Sequence, residues 1–239
     1  MKISIIIRAK NEARNLRKLI PQIKAQKSIN QKDIEIIVVD NESSDKTQEV
    51  ARNFGKVISI SDKDFSYPKA SNLGIKKSHG EIIIMLDAHA ELIRNDWLKN
   101  IIKYFDDPEV AGVYSPELPA SNASIWEKLF YIPAFYFRKI TSPDVITSAR
   151  PGVMAAVCCA LRKSFWNKHH FNEKYGAGGE DLEWGIWALK NGYKIIRDTN
   201  CAVYHSHGLS LKNLIRQYKY WIYIRRPHPF DRGKLKYRI

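Results

Sequence analysis

Cysteine is scarce in this sequence, which contains three in 239 residues. Two of them, Cys158 and Cys159, are adjacent, and the third is Cys201. An odd number with adjacent members does not suit a disulfide framework, and the spacing matches no zinc-binding pattern. A reducing compartment is the simplest interpretation, and we expect a cytoplasmic protein.

Long apolar runs and glycine-rich fingerprints are missing as well. No stretch reaches the roughly 18–20 apolar residues that span a bilayer, and residues 1–8 become charged too early for a signal peptide. The Gly-x-Gly-x-x-Gly fingerprint is absent, which argues against an NAD-dependent enzyme. Residues 8–15 lack the glycine-rich basic loop with which nucleotidyltransferases usually begin.

Acidic residues are outnumbered by basic ones. There are 39 lysines and arginines against 25 aspartates and glutamates, a net charge of +14. This excess favours a polyanionic partner, such as nucleic acid, an anionic membrane surface or a phosphorylated substrate. The hydrophobic fraction of 44% is enough for a packed core, which argues against wholesale disorder.

Apolar runs of strand length alternate with segments of helical spacing through the first half of the chain. They predict strands at 3–7, 34–39, 57–60, 82–86 and 111–114, and helices at 11–26, 47–54, 70–78 and 97–105. This order implies an α/β protein with a mostly parallel, Rossmann-like sheet flanked by helices. We also expect a strand within 152–161 and a helix at 182–190. The aromatic segment 116–143 is interpreted as core packing or a helix on the sheet, with an acceptor-binding wall as the alternative.

Polar side chains follow several predicted strands. Asp87 and His89 end the apolar run 82–86, and residues two apart point to the same side of an extended segment. Since ligands bind at the carboxyl ends of parallel strands, both side chains could hold a divalent metal carrying a diphosphate; a solvated strand end is the alternative. His205 is the expected third ligand, and His207 could replace it. Mn²⁺ tolerates imidazole better than Mg²⁺ does, and either ion is expected.

Two further acidic segments allow two interpretations each. Asp40 follows the apolar run 36–39 and is suited to bind a nucleobase or ribose, or to cap the following helix. Glu180 and Asp181 follow the glycines at 178 and 179 and open a predicted helix. They are either an ordinary acidic helix start or a general base that faces a cleft.

Taken together, the segments 8–13, 37–45, 70–75, 80–90 and 179–184 resemble the family 2 glycosyltransferases. The resemblance covers roughly residues 1–208 and implies a GT-A fold that uses a nucleotide-diphosphate sugar. It implies that Asp40 contacts the base and that Asn11 and Glu12 line the nucleotide pocket, where we also expect Asn72. Asp87 and His89 would hold metal and diphosphate, assisted by basic residues near the cleft (Arg8, Lys10, Lys69).

The metal triplet departs from the usual pattern of this family, because His89 stands where an aspartate is usual. In this respect the chain resembles the polypeptide N-acetylgalactosaminyltransferases, whose Gly-Gly-Glu segment and later histidine align with residues 178–180 and His205. Those relatives retain the anomeric configuration, whereas an aspartate at position 181 favours inversion. We therefore expect an inverting enzyme with Asp181 as the base and Glu180 as the competing candidate.

The segment 209–239 is a basic, aromatic extension to the domain at 1–208. It carries nine lysines and arginines and one acidic residue, Asp231. This composition suits an anionic membrane surface, nucleic acid or an ordinary packed helix with a basic face. We expect a hexosyl- or deoxyhexosyltransferase for polysaccharide synthesis, acting on a glycan or lipid-linked acceptor at the cytoplasmic membrane face, with no nucleic-acid partner. The rivals are a nucleic-acid-binding protein and an inactive nucleotide-sugar binder.

Overall fold

The structure is a computed structural model that describes residues 1–224 except 28, 151 and 177. Of the C-terminal extension, residues 225–239 therefore lie outside the described residues. The strands are β1 (Ile3–Ala9), β2 (Ile34–Asp40), β3 (Lys56–Ser59), β4 (Ile82–Asp87), β5 (Glu91–Leu92), β6 (Val110–Tyr114), β7 (Asp144–Ile146), β8 (Cys158–Arg162), β9 (Lys194–Arg197) and β10 (Val203–Tyr204). The α-helices are α1 (Ala13–Lys24), α2 (Thr47–Arg52), α3 (Tyr67–Lys76), α4 (Trp97–Ile102), α5 (Ile125–Lys139), α6 (Lys163–Trp166), α7 (Glu180–Lys190) and α8 (Leu211–Ile224).

A central sheet of eight strands organises the molecule, in the order β3-β2-β1-β4-β8-β6-β9-β7. The first four pair in parallel, β8 lies antiparallel between β4 and β6, and β7 is antiparallel to β9. Because β6 and β9 run parallel to each other, β4, β6 and β9 all end at one edge of the sheet. Side chains that follow these strands consequently meet at that edge.

Both faces of the sheet are buried, as the continuous apolar runs predict. Alternate side chains of β1 and β4 enter two separate core clusters, one on each face. On one face α1 buries Leu16, Leu19, Ile20 and Ile23. On the other face α7 buries Trp184, whose indole N–H donates to the carbonyl of His169 at 2.8 Å. The sheet edge is thus held between two packed helical layers.

The predicted fold class is confirmed, with differences in detail. The segment 152–161 becomes a strand only from residue 158, and the helix predicted at 97–105 changes to 3₁₀ geometry over Lys103–Asp106. The strands β7 and β9, which are three and four residues long, were not predicted from the sequence. Neither has the apolar run of a central strand, so their pairing depends on neighbours that are distant in the chain.

The aromatic segment contains α5, which begins with a capping box between Ser124 and Glu127. It packs against α8 through Phe130 on Tyr218 and Tyr131 on Trp221, with ring centroids 5.5 and 6.2 Å apart. Most of its large apolar side chains are nevertheless exposed, so core packing accounts for a minority of them. Within the described residues, no helix is both long enough and apolar enough to span a membrane.

Candidate active site

A cavity of about 760 Å³ lies at the edge of the sheet where β1, β4, β6 and β9 end. Side chains after these strands form its floor, the loop before α7 forms one wall, and α5 and α8 form another. Its volume is in the range of sites that bind small molecules. Nine residues that were predicted from the sequence to belong to the site line it: Arg8, Lys10, Glu12, Asp87, His89, Glu180, Asp181, His205 and His207.

Arg8 is the buried cation on the cavity floor. Its guanidinium lies 2.9 Å from Asp87 Oδ1 and 3.6 Å from Glu180 Oε1, and it stacks 5.0 Å from the centre of the Tyr67 ring. The pKa of Asp87 is well below its usual range because Arg8 and the nearby imidazoles outweigh the effect of burial. Asp87 therefore remains a carboxylate, with Oδ2 directed toward His205 at 3.6 Å.

Three imidazoles gather beside Asp87. Ring nitrogens of His89, His205 and His207 all lie within 4.8 Å of one another, and the Nε2 atoms of His89 and His205 are 2.8 Å apart. Carboxylates hold the two rings from behind: Glu117 lies 3.1 Å from His205 Nδ1, and Glu12 lies 3.4 Å from His89 Nδ1. Burial lowers the pKa of His205, but Glu117 and Asp87 offset this and raise it to about 10. The two carboxylates thus make the surroundings of His205 favourable for a positive charge.

Glu180 and Asp181 enter the cavity from the first turn of α7. The chain reaches them through Gly178 and Gly179, whose φ angles of 120° and 100° favour glycine. Burial and the neighbouring Asp181 raise the pKa of Glu180 to about 7, and its Oε2 has no hydrogen-bond partner among the described residues. Asp181 accepts the backbone N–H of Ala156 on Oδ2 and that of Leu182 on Oδ1, both at 2.7 Å. These bonds fix the Asp181 carboxylate in place.

Four other predicted site residues are not among the cavity-lining side chains of the described chain: Asn11, Asp40, Lys69 and Asn72. Asn11, with φ of 57°, accepts the backbone N–H of Ser44 at 2.8 Å, and Asp40 accepts Gln48 at 2.7 Å. Asn72 bonds both backbone groups of Phe171, the N–H at 3.2 Å and the carbonyl at 2.8 Å, and Lys69 is exposed on α3. Asp40 is fully buried with Oδ1 unpartnered, and its role in base recognition stays a prediction.

Several residues that line the cavity were not predicted from the sequence. Glu117 lies in a loop, and only the contact with His205 reveals it. Arg138, Arg150 and Arg197 line the cavity from α5, a loop and β9. No motif or spacing marks them, because they come together only through the order of the strands.

A solved structure with a similar fold shows the class to which this fold belongs. A mannosyltransferase from Pyrobaculum calidifontis, solved with GDP-Man and Mn²⁺, matches with a TM-score of 0.66 at 19% sequence identity. The match covers 85% of this chain and 56% of that chain. At this identity the likeness concerns the fold, which is of the GT-A, Rossmann-like type.

The sequence specifies the family within that class. The model of glycosyl transferase family 2 matches residues 4–171, and the chain belongs to this family, as its motifs predicted. The O-antigen chain rhamnosyltransferase RfbN of Salmonella typhimurium is 25% identical over 224 residues, which cover 91% of this chain and 70% of the relative. A Methanococcus voltae protein, dolichyl N-acetyl-alpha-D-glucosaminyl phosphate 3-beta-D-2,3-diacetamido-2,3-dideoxy-beta-D-glucuronosyltransferase, is 25% identical over 236 residues, with coverages of 90% and 70%.

The raised pKa of Glu180 predicts a specific pH dependence of stability. Its pKa is about 7 in the fold against an ordinary value of 4.5 for glutamate, so the folded protein keeps a proton that the unfolded chain releases. Stability should fall as the pH rises from about 4.5 to about 7. Glu180→Gln removes this contribution, so the variant should gain stability relative to the wild type across that window. Urea unfolding of both proteins in metal-free buffer at several pH values measures this difference in the free energy of unfolding.

The exposed Glu49 on α2 provides the matched control, because Glu49→Gln should leave the pH profile of stability unchanged. A constant difference between Glu180→Gln and the wild type at all pH values would contradict the assignment of the proton to Glu180.

Proposed function

We propose that this protein transfers a sugar from a nucleotide-diphosphate donor to a hydroxyl group of a glycan or lipid-linked acceptor. The observation that carries the proposal is the convergence of Asp87, the three histidines and the acidic start of α7 in one cavity. Membership of the family and the naming of RfbN as a rhamnosyltransferase support a hexosyl- or deoxyhexosyltransferase.

The residues beside Asp87 fit a divalent metal. A carboxylate and several imidazoles form a mixed oxygen and nitrogen donor set, which suits Mn²⁺ better than Mg²⁺. His205 lies between the carboxylates of Glu117 and Asp87, which raise its pKa, and this environment supports the proposal of a cation, since a metal ion would replace the proton. Asp87, His89 and His205 would hold it, with His207 as the alternative to His205. Such an ion would neutralise charge on the departing diphosphate.

Asp181 is the proposed base in this reaction. The acceptor hydroxyl oxygen attacks the anomeric carbon, the bond from that carbon to the diphosphate oxygen breaks, and the hydroxyl proton passes to the Asp181 carboxylate. This single displacement inverts the configuration. Two backbone N–H groups fix Asp181 and partly offset the rise in its pKa that burial causes, whereas burial and the neighbouring Asp181 raise the pKa of Glu180 to about 7. Arg8 keeps Asp87 ionised beside them.

Donor binding should depend on the metal ligands. We expect nucleotide-sugar affinity to require Mn²⁺ and to fall by at least about tenfold in Asp87→Asn and in His205→Ala. Calorimetric titration of UDP-, GDP- and dTDP-sugars, with Mn²⁺ and with chelator, measures this. His79→Ala is the control, since His79 is an exposed histidine paired with Glu35. Undiminished donor binding in chelator would refute the metal site.

Removal of the base should slow the reaction without loss of donor binding. Asp181→Asn should lower turnover by roughly 10²–10⁴, the usual effect of a general base, at near-normal donor affinity. Glu180→Gln should lower turnover by a smaller factor than Asp181→Asn does. Because asparagine can serve only one of the two backbone N–H groups with oxygen, thermal stability is measured alongside turnover. Near-normal turnover in Asp181→Asn, or a product with retained configuration, would disprove the assignment.

A lipid surface is the proposed partner of the exposed face of α5 and α8. Twelve large apolar side chains on these helices and the α5 C-cap are exposed: Ile125, Trp126, Leu129, Phe130, Ile132, Tyr136, Phe137, Ile140, Leu211, Ile215, Tyr218 and Ile222. The only acidic residue of the two helices is the buried Glu127, while both carry lysine and arginine. Exposed apolar side chains on helices that carry basic residues and no exposed acidic residue complement an anionic membrane, where a lipid-linked acceptor resides.

Vesicle binding tests this surface. The protein should co-sediment with anionic vesicles at low salt, less at high salt, and weakly with neutral vesicles. Leu129→Ser with Phe137→Ser should reduce binding, while Val145→Ser, an exposed apolar residue of β7, should not. Equal binding to neutral and anionic vesicles, or binding to neither, would rule out this partner.

A further inference from the structure

Three arginines gather in one part of the cavity. Arg138, Arg150 and Arg197 all line it near Tyr114, and their charges act on the hydroxyl of that tyrosine. Asp144 is the carboxylate that faces two of them: it pairs with Arg150 and lies 3.1 Å from Arg197 Nη2. The guanidinium groups of Arg150 and Arg197 thus share one carboxylate. This leaves a local excess of positive charge in this part of the cavity.

Arg197 has spare hydrogen-bonding capacity as well. Its Nη2 donates to Thr141 Oγ1 at 2.8 Å, but its Nε is buried and has no hydrogen-bond partner among the described residues. A buried donor without a partner is costly, and a ligand oxygen would satisfy it. The planar guanidinium group matches the oxygens of phosphate and carboxylate groups.

The strand order places this cluster away from the metal ligands. Arg197 ends β9 and Asp87 ends β4, and β8 and β6 lie between these two strands in the sheet. Three strand spacings correspond to about 14 Å between the two backbones. Arg197 and Asp87 therefore line different parts of the same cavity. Aromatic residues of α5 and α8, among them Tyr131 and Trp221, line the same cavity.

We propose that Arg138, Arg150 and Arg197 form a subsite for an anionic group of the acceptor, either a phosphate ester or a carboxylate. The proposal rests on the proposed function and extends it, because it specifies acceptor chemistry that the donor site does not require. The anion binds at a distance from the reacting hydroxyl and takes the place of Asp144 as the partner of Arg150 and Arg197. A neutral glycan of the same size lacks this contact.

Binding of small anions in chelator tests the subsite without the metal site. The probes are phenyl phosphate, glucuronate and the neutral phenyl glucoside, titrated into the full chain and followed by NMR. Wild type should bind phenyl phosphate, glucuronate or both, and should bind phenyl glucoside more weakly. Arg150→Gln and Arg197→Gln should each weaken anion binding about tenfold, the effect of one charged hydrogen bond. Lys139→Gln, next to Arg138 but outside the cavity lining, should have no effect.

Asp144→Asn gives the decisive result, because removal of the competing carboxylate should strengthen anion binding, which misfolding cannot imitate. Binding of phenyl phosphate alone points to a phosphate-bearing acceptor, and binding of glucuronate alone points to a uronic acid. The subsite would be overturned if the wild type bound no anion or bound the neutral probe equally well. It would also be overturned if Arg150→Gln, Arg197→Gln and Asp144→Asn all left the anion affinity unchanged. Donor titrations with Mn²⁺ then show independently whether the proposed function stands.

Discussion

The buried pairing of Arg8 with Asp87 and Glu180 is the interaction on which the rest of the site depends. One guanidinium group from β1 lies against carboxylates from β4 and α7, and the Tyr67 ring covers it. Without that charge, two carboxylates would face each other in a poorly solvated cavity, which is strongly unfavourable. Arg8 thereby joins Asp87 and the histidines beside it to the acidic start of α7. The sheet supplies the rigidity that this pairing requires.

Much of this arrangement could be predicted because it depends on local patterns. Apolar runs such as 82–86 indicate buried strands, and the parallel order brings Asp87, His89 and the acidic helix start to one edge. The glycines before Glu180 indicate a turn that the structure realises with positive φ angles. The arginine cluster and Glu117 could not be predicted, because they depend on the reversed strands β7 and β8 and on loop paths. Asn72 illustrates the converse case. It belongs to a motif that predicted a role in the nucleotide pocket, but its side chain bonds the backbone of Phe171 and does not line the cavity.

The two sides of the cavity differ in kind. Strand ends and short carboxylate contacts hold the side that contains Asp87 and the histidines. Another wall consists of α5 and α8, which contact each other through aromatic rings and expose most of their apolar side chains. A site with one rigid polar side and one apolar helical side suits a reaction between a small charged donor and a larger acceptor. Arg138 belongs to this helical wall, whereas Arg197 ends the strand β9.

The position of β8 also has a consequence for the order of folding. This strand, Cys158–Arg162, is the only hydrogen-bonded link in the described sheet between β3-β2-β1-β4 and β6-β9-β7. During synthesis, the first four strands can associate as soon as they emerge, whereas β6 has no neighbour until about fifty further residues have been added. The half of the sheet that carries Arg197 and Tyr114 therefore assembles late, through contacts of long sequence separation, which form slowly. Chains that stop before β8 would leave the apolar strand β6 exposed to aggregation.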